Sequence, residues 1–275
     1  MAKGISLHLG LNSVDPGHYD GWSGKLAACE ADANDMESIA KSRSFATTKF
    51  LTKQATRKAV LQTLSDAAGK LGKGDIFFLT YSGHGGQVPD TGGDEKDRMD
   101  ETWCLYDGEL IDDELYAAYG KFKEGVRILV LSDSCHSGTV TREAHYQAKA
   151  VTPVGGAAPR YRNMPRDVAL RVYGANKPFY DAIQASVARK AETTEIGASV
   201  ILISGCQDNQ LSSDGDANGL FTGTLRTVWK DGAFKKPYSN FRTAIVDLMP
   251  PDQTPNYYVT GRADAAFAKQ SPFTV

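Results

Sequence analysis

Two stretches decide the reading of this chain: Asp75-Ile76-Phe77-Phe78-Leu79-Thr80-Tyr81-Ser82-Gly83-His84-Gly85-Gly86 and Val126-Arg127-Ile128-Leu129-Val130-Leu131-Ser132-Asp133-Ser134-Cys135-His136-Ser137-Gly138. Each begins with an apolar run of the length and branching expected of a strand buried on both faces, and each ends in small residues suited to a turn. A histidine follows the first run and a cysteine the second. If the two strands lie parallel in one sheet, their carboxyl ends reach the same edge. His84 and Cys135 can then face each other across a cleft, as a thiol nucleophile and its base must.

The flanking sequence supports such a sheet. Ile5 to Leu11 and Phe45 to Leu51 have strand character. Between them, Glu30 to Ser42 carries Ala33, Met36, Ile39 and Ala40 at helical spacing. Thr56 is placed to cap a second helix running to Leu71, with Ala59, Val60, Leu64 and Ala67 along one stripe. A polar loop from Gln87 to Glu101, an extended piece Thr102 to Tyr106 and a helix Asp112 to Lys123 precede the strand that leads to Cys135. This βαβα order predicts an α/β fold with a mainly parallel sheet and helices on both faces. From Thr139 to about Arg171 the pattern lapses into a stretch rich in proline, glycine and basic residues, long enough to suggest a functional segment. A helix from Lys177 to Glu192, a strand Ser199 to Ile203, helices Gly219 to Lys230 and Asn240 to Met249, and an extended piece Asn256 to Thr260 complete the chain. One domain over 1–275 is expected: a large-subunit-like region over 1–140 with both motifs, a basic linker and helix over 141–195, and a small-subunit-like region over 196–275.

Composition narrows the function classes. A net charge of −2 gives no electrostatic footprint for nucleic acid or an anionic membrane. No apolar run approaches the ~18 residues of a membrane span. The N-terminal residues run directly into a strand-like segment, so no leader is expected and a cytoplasmic location is the expectation. Cys29, Cys104 and Cys206 form no Cys-x-x-Cys pair and read as reduced, partly buried thiols. Cys206 has no histidine motif beside it.

Small residues around Cys135 and His84 leave room for a substrate backbone and leave peptide N–H groups free. The N–H groups of Gly85 and Cys135 are the candidates to hold an oxyanion. His136, next to the nucleophile, is expected to point away from it. The pair Tyr-Ser-Gly-His-Gly-Gly and Asp-Ser-Cys-His-Ser-Gly, about 50 residues apart from histidine to cysteine, resembles the caspase-like cysteine peptidase clan. It is most similar to metacaspases and their bacterial relatives, the orthocaspases, although the local caspase signature around the cysteine is absent. The resemblance implies a caspase-like sandwich with a six-stranded, mainly parallel sheet flanked by helices. It also implies a His84–Cys135 dyad with no required third member.

Charge argues for specificity. Asp133 lies two residues before Cys135 and Ser82 two before His84, where substrate would bind, and neither motif holds the arginines an aspartate-specific caspase needs. In metacaspases the matching residues line the specificity pocket, and the segment Cys29-Glu30-Ala31-Asp32-Ala33 supplies a further acid, Asp32. Carboxylates at the base of a pocket select arginine or lysine through charge-assisted hydrogen bonds. The segment Ser204 to Gln210 resembles a loop bordering the cleft, which makes Asp208 and Gln210 candidate substrate contacts. The acidic loop Asp90 to Glu101 with Asp112 and Asp113 offers hard oxygen ligands, with Asp97, Asp100, Asp112 and Asp113 as a calcium set. The family's last calcium aspartate is replaced here by Arg142 beside Glu143, so no cofactor is expected to be required and calcium stays an open alternative. An enzyme that cuts after basic residues and carries a basic segment is its own candidate substrate, so self-cleavage is expected between Arg142 and Lys190, with Arg160, Arg162 and Arg166 as sites. The expected partners are protein or peptide substrates, and the expected state is a monomer. The rival readings are a catalytically idle binding module and a clan member specific for aspartate or asparagine.

Overall fold

The computed structural model describes residues 2–91, 98–135, 160–191, 195–207 and 210–275. A six-stranded sheet is built from β1 (Gly4–Gly10), β2 (Ala46–Leu51), β3 (Ile76–Ser82), β7 (Arg127–Asp133), β9 (Ser199–Ser204) and β11 (Asn256–Gly261), in the order β11-β9-β7-β3-β1-β2. All neighbours are parallel except β11, which runs antiparallel to β9 along one edge.

Strand alternation divides the core in two. Phe77, Leu79 and Tyr81 of β3, with Ile128 and Val130 of β7, pack on Val60 and Leu64 of α2 (Arg57–Lys70) and on Leu115 and Ala118 of α3 (Asp112–Tyr119). Ile76 and Phe78, with Leu129 and Leu131, face the opposite layer. There they meet Met36 and Ile39 of α1 (Cys29–Ser42) and the later helices α6 (Leu220–Trp229), α7 (Tyr238–Val246) and α8 (Ala265–Lys269). Both faces of the central strands are therefore buried, which accounts for their unbroken apolar runs.

Three features depart from the expectation. Gly85–Pro89 (β4), Met99–Leu105 (β5) and Gly108–Ile111 (β6) form a separate antiparallel sheet, of which only the middle strand is expected from the sequence. The stretch assigned to irregular chain up to Arg171 contains a regular helix, α4 (Arg166–Ala175), starting directly after Pro165, before α5 (Lys177–Ala191). Its Val168, Ala169 and Val172 are buried against Val88 and Ile111 of the small sheet. The helix after Ile111 also ends earlier than expected, at Tyr119. Among the described residues no helix is long and apolar enough to cross a membrane.

Candidate active site

Register explains why residues two places before each motif residue meet. β3 and β7 pair with Ser82 directly opposite Asp133. Alternation places both on the α1 and α6 side of the sheet, where Asp32 occupies the first turn of α1. Ser82 donates from Oγ to Asp32 Oδ2 at 2.7 Å. The N-terminal end of α6 supplies donors to the same carboxylates: Gly219 N–H to Asp32 Oδ1 at 3.1 Å and Thr222 N–H to Asp133 Oδ2 at 3.1 Å. This is the helix end whose dipole and free N–H groups favour negative charge.

The pocket so formed holds a side chain of the chain itself. Arg162 is fully buried, and its guanidinium lies 2.7 Å from Asp32 Oδ2, 2.9 Å from Asp133 Oδ2 and 3.0 Å from Asp214 Oδ1. It also donates from Nη1 to Ser82 Oγ at 2.9 Å. Burial works against its charge, but the attraction of Asp133, Asp32 and Asp214 outweighs this and raises its pKa well above the ordinary value. Asp32 in turn is pushed up by burial, an effect that Arg162 opposes.

The main chain of Arg162 is held as closely. Its carbonyl oxygen accepts from Gly85 N–H at 3.0 Å and from Cys135 N–H at 3.1 Å, and its own N–H donates to Ser212 O at 3.0 Å. Upstream, β8 (Arg160–Tyr161) pairs antiparallel with β10 (Ser213–Asp214), extending the chain as an added strand. Downstream, Met164 N–H donates to Gly85 O at 2.7 Å, and the Met164 side chain is buried among Val88, Cys104, Ile111 and Val168.

His84 and Cys135 flank this segment. His84 Nε2 lies 3.0 Å from the Gly24 carbonyl, so it carries the hydrogen, while among the described residues the buried Nδ1 has no hydrogen-bond partner and keeps its lone pair. The Trp22 ring packs on the imidazole at 4.7 Å between centroids. Burial lowers the His84 pKa to about 4, leaving a neutral imidazole at neutral pH. The Cys135 thiol is turned toward the Ser212 main chain, whose N–H donates to Sγ. The remaining cysteines are buried, and burial pushes the Cys29 thiol up to about 12, which makes it a poor nucleophile.

Other expected residues lie elsewhere in the structure or outside the described residues. Gln210 braces the loop by hydrogen bonds to Thr254 and Pro251. Asp208 and His136 lie outside the described residues, as does Asp97. Asp100 is buried and accepts from Gln184 Nε2 at 2.8 Å, whereas Asp112 is exposed at the start of α3 and accepts from Asp113 N–H at 3.0 Å. Among the described residues no three His, Cys, Asp or Glu side chains are arranged to hold a metal ion; the expected calcium set also includes Asp97, which lies outside them.

Asp214, Ser212, Gly24 and Gln253 are not singled out by the sequence. Gln253 donates to Ser212 Oγ at 2.8 Å and accepts from Ser213 N–H at 3.0 Å, fixing the strand that faces Arg162. The acid at position 214 is the one available signal, hidden because β10 is two residues long and shows no period.

A family model described as the caspase domain matches residues 14–267. The chain belongs to the caspase-domain family of cysteine peptidases. This makes it a cysteine-type endopeptidase by class, with the caspase-like fold described above. Metacaspase-1 of Mycosarcoma maydis is 30% identical over 90% of this caspase-domain chain, which spans 68% of that protein. Metacaspase-1 of Cryptococcus neoformans is 28% identical over 87% of this chain, which spans 57% of it, and Metacaspase-1 of Schizosaccharomyces pombe is 30% identical over 68%, which spans 48%. The chain thus spans about half to two thirds of these relatives. Among solved structures, the crystal structure of protein GSU0716 from Geobacter sulfurreducens superposes with a TM-score of 0.88 at 59% identity, covering 99% of both chains.

Proposed function

We propose that His84 and Cys135 form the catalytic dyad of an endopeptidase that cleaves after arginine and lysine, and that the enzyme processes itself between Arg162 and Asn163. The observation that carries this reading is the placement of Arg162, with its guanidinium among three carboxylates and its carbonyl oxygen on the N–H groups of Gly85 and Cys135. Those two donors are aimed where negative charge develops during attack on that carbonyl.

In this reading His84 Nδ1 takes the thiol proton as Cys135 Sγ bonds to the Arg162 carbonyl carbon, and the oxyanion forms between the Gly85 and Cys135 N–H groups. Collapse breaks the C–N bond, His84 returns the proton to the Asn163 nitrogen, and a thioester remains. Water, deprotonated by His84, hydrolyses it and restores the thiol. In the uncut chain the thiol lies against Ser212, so its turn toward His84 Nδ1 precedes attack. Arginine suits the pocket better than lysine, since Nη1 serves Asp133 and Ser82 while Nη2 serves Asp32 and Asp214.

A panel of fluorogenic peptides ending in Arg, Lys, Asp or Asn, with Cys135→Ala as control and calcium added or chelated, tests this. The expected result is turnover of Arg peptides above Lys peptides, none after Asp or Asn, loss in Cys135→Ala, and no need for calcium. Turnover after Asp or Asn alone would refute the pocket assignment.

A further inference from the structure

The acidic pocket continues beyond the first arginine. Along β8 the side chains alternate, so Arg160 and Arg162 share a face while Tyr161 takes the other. Tyr161 packs on Leu211, Cys135 and Cys206. Arg160 stands directly opposite Asp214 in the antiparallel register. Its Nε lies 3.4 Å from Asp214 Oδ2, and its Nη2 lies 3.2 Å from Asp216 Oδ1. Asp214 therefore touches both arginines, Oδ1 on Arg162 and Oδ2 on Arg160. Its carboxylate is held by the N–H groups of Ala27 at 2.8 Å and Ala28 at 3.3 Å, just ahead of α1. A buried, backbone-anchored carboxylate of this kind is a fixed element of the binding surface, not a mobile surface acid.

We infer that Asp214 and Asp216 form a second cation subsite, so that the preferred substrates are extended peptides of the form basic-x-basic, cut after the second basic residue. This deepens the proposed function and rests on it. Asp214 is shared between the two subsites, and Asp216 belongs to the outer one alone. The intervening position faces Leu211 and Cys206 and takes an apolar or aromatic side chain. Because Arg160 is part-exposed and Asp216 fully so, the outer preference is modest and sensitive to salt.

The test uses the 275-residue chain carrying Cys135→Ala, Arg160→Ala and Arg162→Ala, which removes both arginine side chains from their subsites and prevents turnover, leaving the peptide to displace the weakened 160–162 main chain. Fluorescein-labelled Arg-Tyr-Arg, Ala-Tyr-Arg, Glu-Tyr-Arg and Arg-Tyr-Ala amides are titrated by anisotropy. Arg-Tyr-Arg is expected to bind about threefold to tenfold more tightly than Ala-Tyr-Arg at about 0.01 M salt, an advantage that shrinks toward none at about 1 M. Asp216→Asn should reduce that advantage while leaving Ala-Tyr-Arg binding unchanged. Asp214→Asn should abolish it and weaken every peptide ending in arginine. Equal binding of Arg-Tyr-Arg, Ala-Tyr-Arg and Glu-Tyr-Arg, with Arg-Tyr-Ala weak, would overturn the outer subsite and leave the first pocket standing. Binding that ignores the final arginine would overturn both.

Discussion

Replacing Arg162 by alanine, in a Cys135→Ala background that keeps the chain uncut, leaves three carboxylates facing one another. Asp32, Asp133 and Asp214 have side-chain exposures of 1%, 2% and 0%, so none can recover solvent without a change in packing. Removing one partner of a buried ion pair costs about 3–5 kcal/mol. Truncation also opens a path for water, and Asp32 and Asp133 keep their donors from α6, so the lower figure applies. A loss of about 3 kcal/mol lowers the melting temperature of a chain of this size by roughly 6–12 °C. Differential scanning calorimetry at neutral pH and low salt reads this directly. The gap should narrow as the medium is made acidic, because burial already raises the Asp32 pKa and a protonated acid no longer repels its neighbours. Arg162→Lys should fall in between, since one ammonium cannot serve both Asp133 and Asp214. A melting temperature within a degree of the parent would refute the claim that this guanidinium neutralises the pocket.

Other substitutions probe single contacts. A Cβ on Gly219 would lie 2.5 Å from both Arg162 Nη atoms. Gly219→Ala should therefore cut turnover of arginine peptides more than tenfold, about 1.4 kcal/mol or more, which steady-state kinetics will show chiefly in KM. A Cβ on Gly24 would meet the His84 ring at 2.9 Å, and its φ of +51° disfavours alanine. Gly24→Ala should lower kcat by displacing the imidazole, with KM for arginine peptides little changed. His8, buried between Ser6 and Thr80, has its pKa lowered by burial to about 3, as His84 is to about 4. Both are neutral in the folded state and take up protons on unfolding below pH ~6.5. Stability is therefore lost as pH falls from ~6.5 toward 4, at about 1.4 kcal/mol per pH unit for each. His8→Gln should flatten the fall in urea midpoint over that range, and an unchanged slope would contradict the assignment.

The parallel sheet is legible in the sequence because its strands are buried on both faces, which forces unbroken apolar runs such as Ile76 to Leu79 and Ile128 to Leu131. The pocket is legible in part for the same reason: Ser82 and Asp133 keep the strand period past the last apolar residue. The small sheet is not, because Gly85-Gly86-Gln87-Val88-Pro89 holds two glycines and a proline and shows no strand composition. One of these glycines has a packing reason, since a Cβ on Gly86 would strike Met164 and Glu109 at 2.7 Å. Helix α4 hides behind the proline, glycine and arginine content of its surroundings. That Arg162, and not Arg160 or Arg166, lies among the three carboxylates is beyond composition, because it depends on the strand pairing of Arg160–Tyr161 with Ser213–Asp214.

The most direct test is the intact mass of the purified wild-type chain after incubation, beside Cys135→Ala and Arg162→Ala. The predicted result is a pair of fragments, 1–162 and 163–275, the second beginning at Asn163, with both variants uncut at that bond. A wild-type chain that stays whole, or a cut at Arg162 that persists in Cys135→Ala, would contradict self-processing by this site.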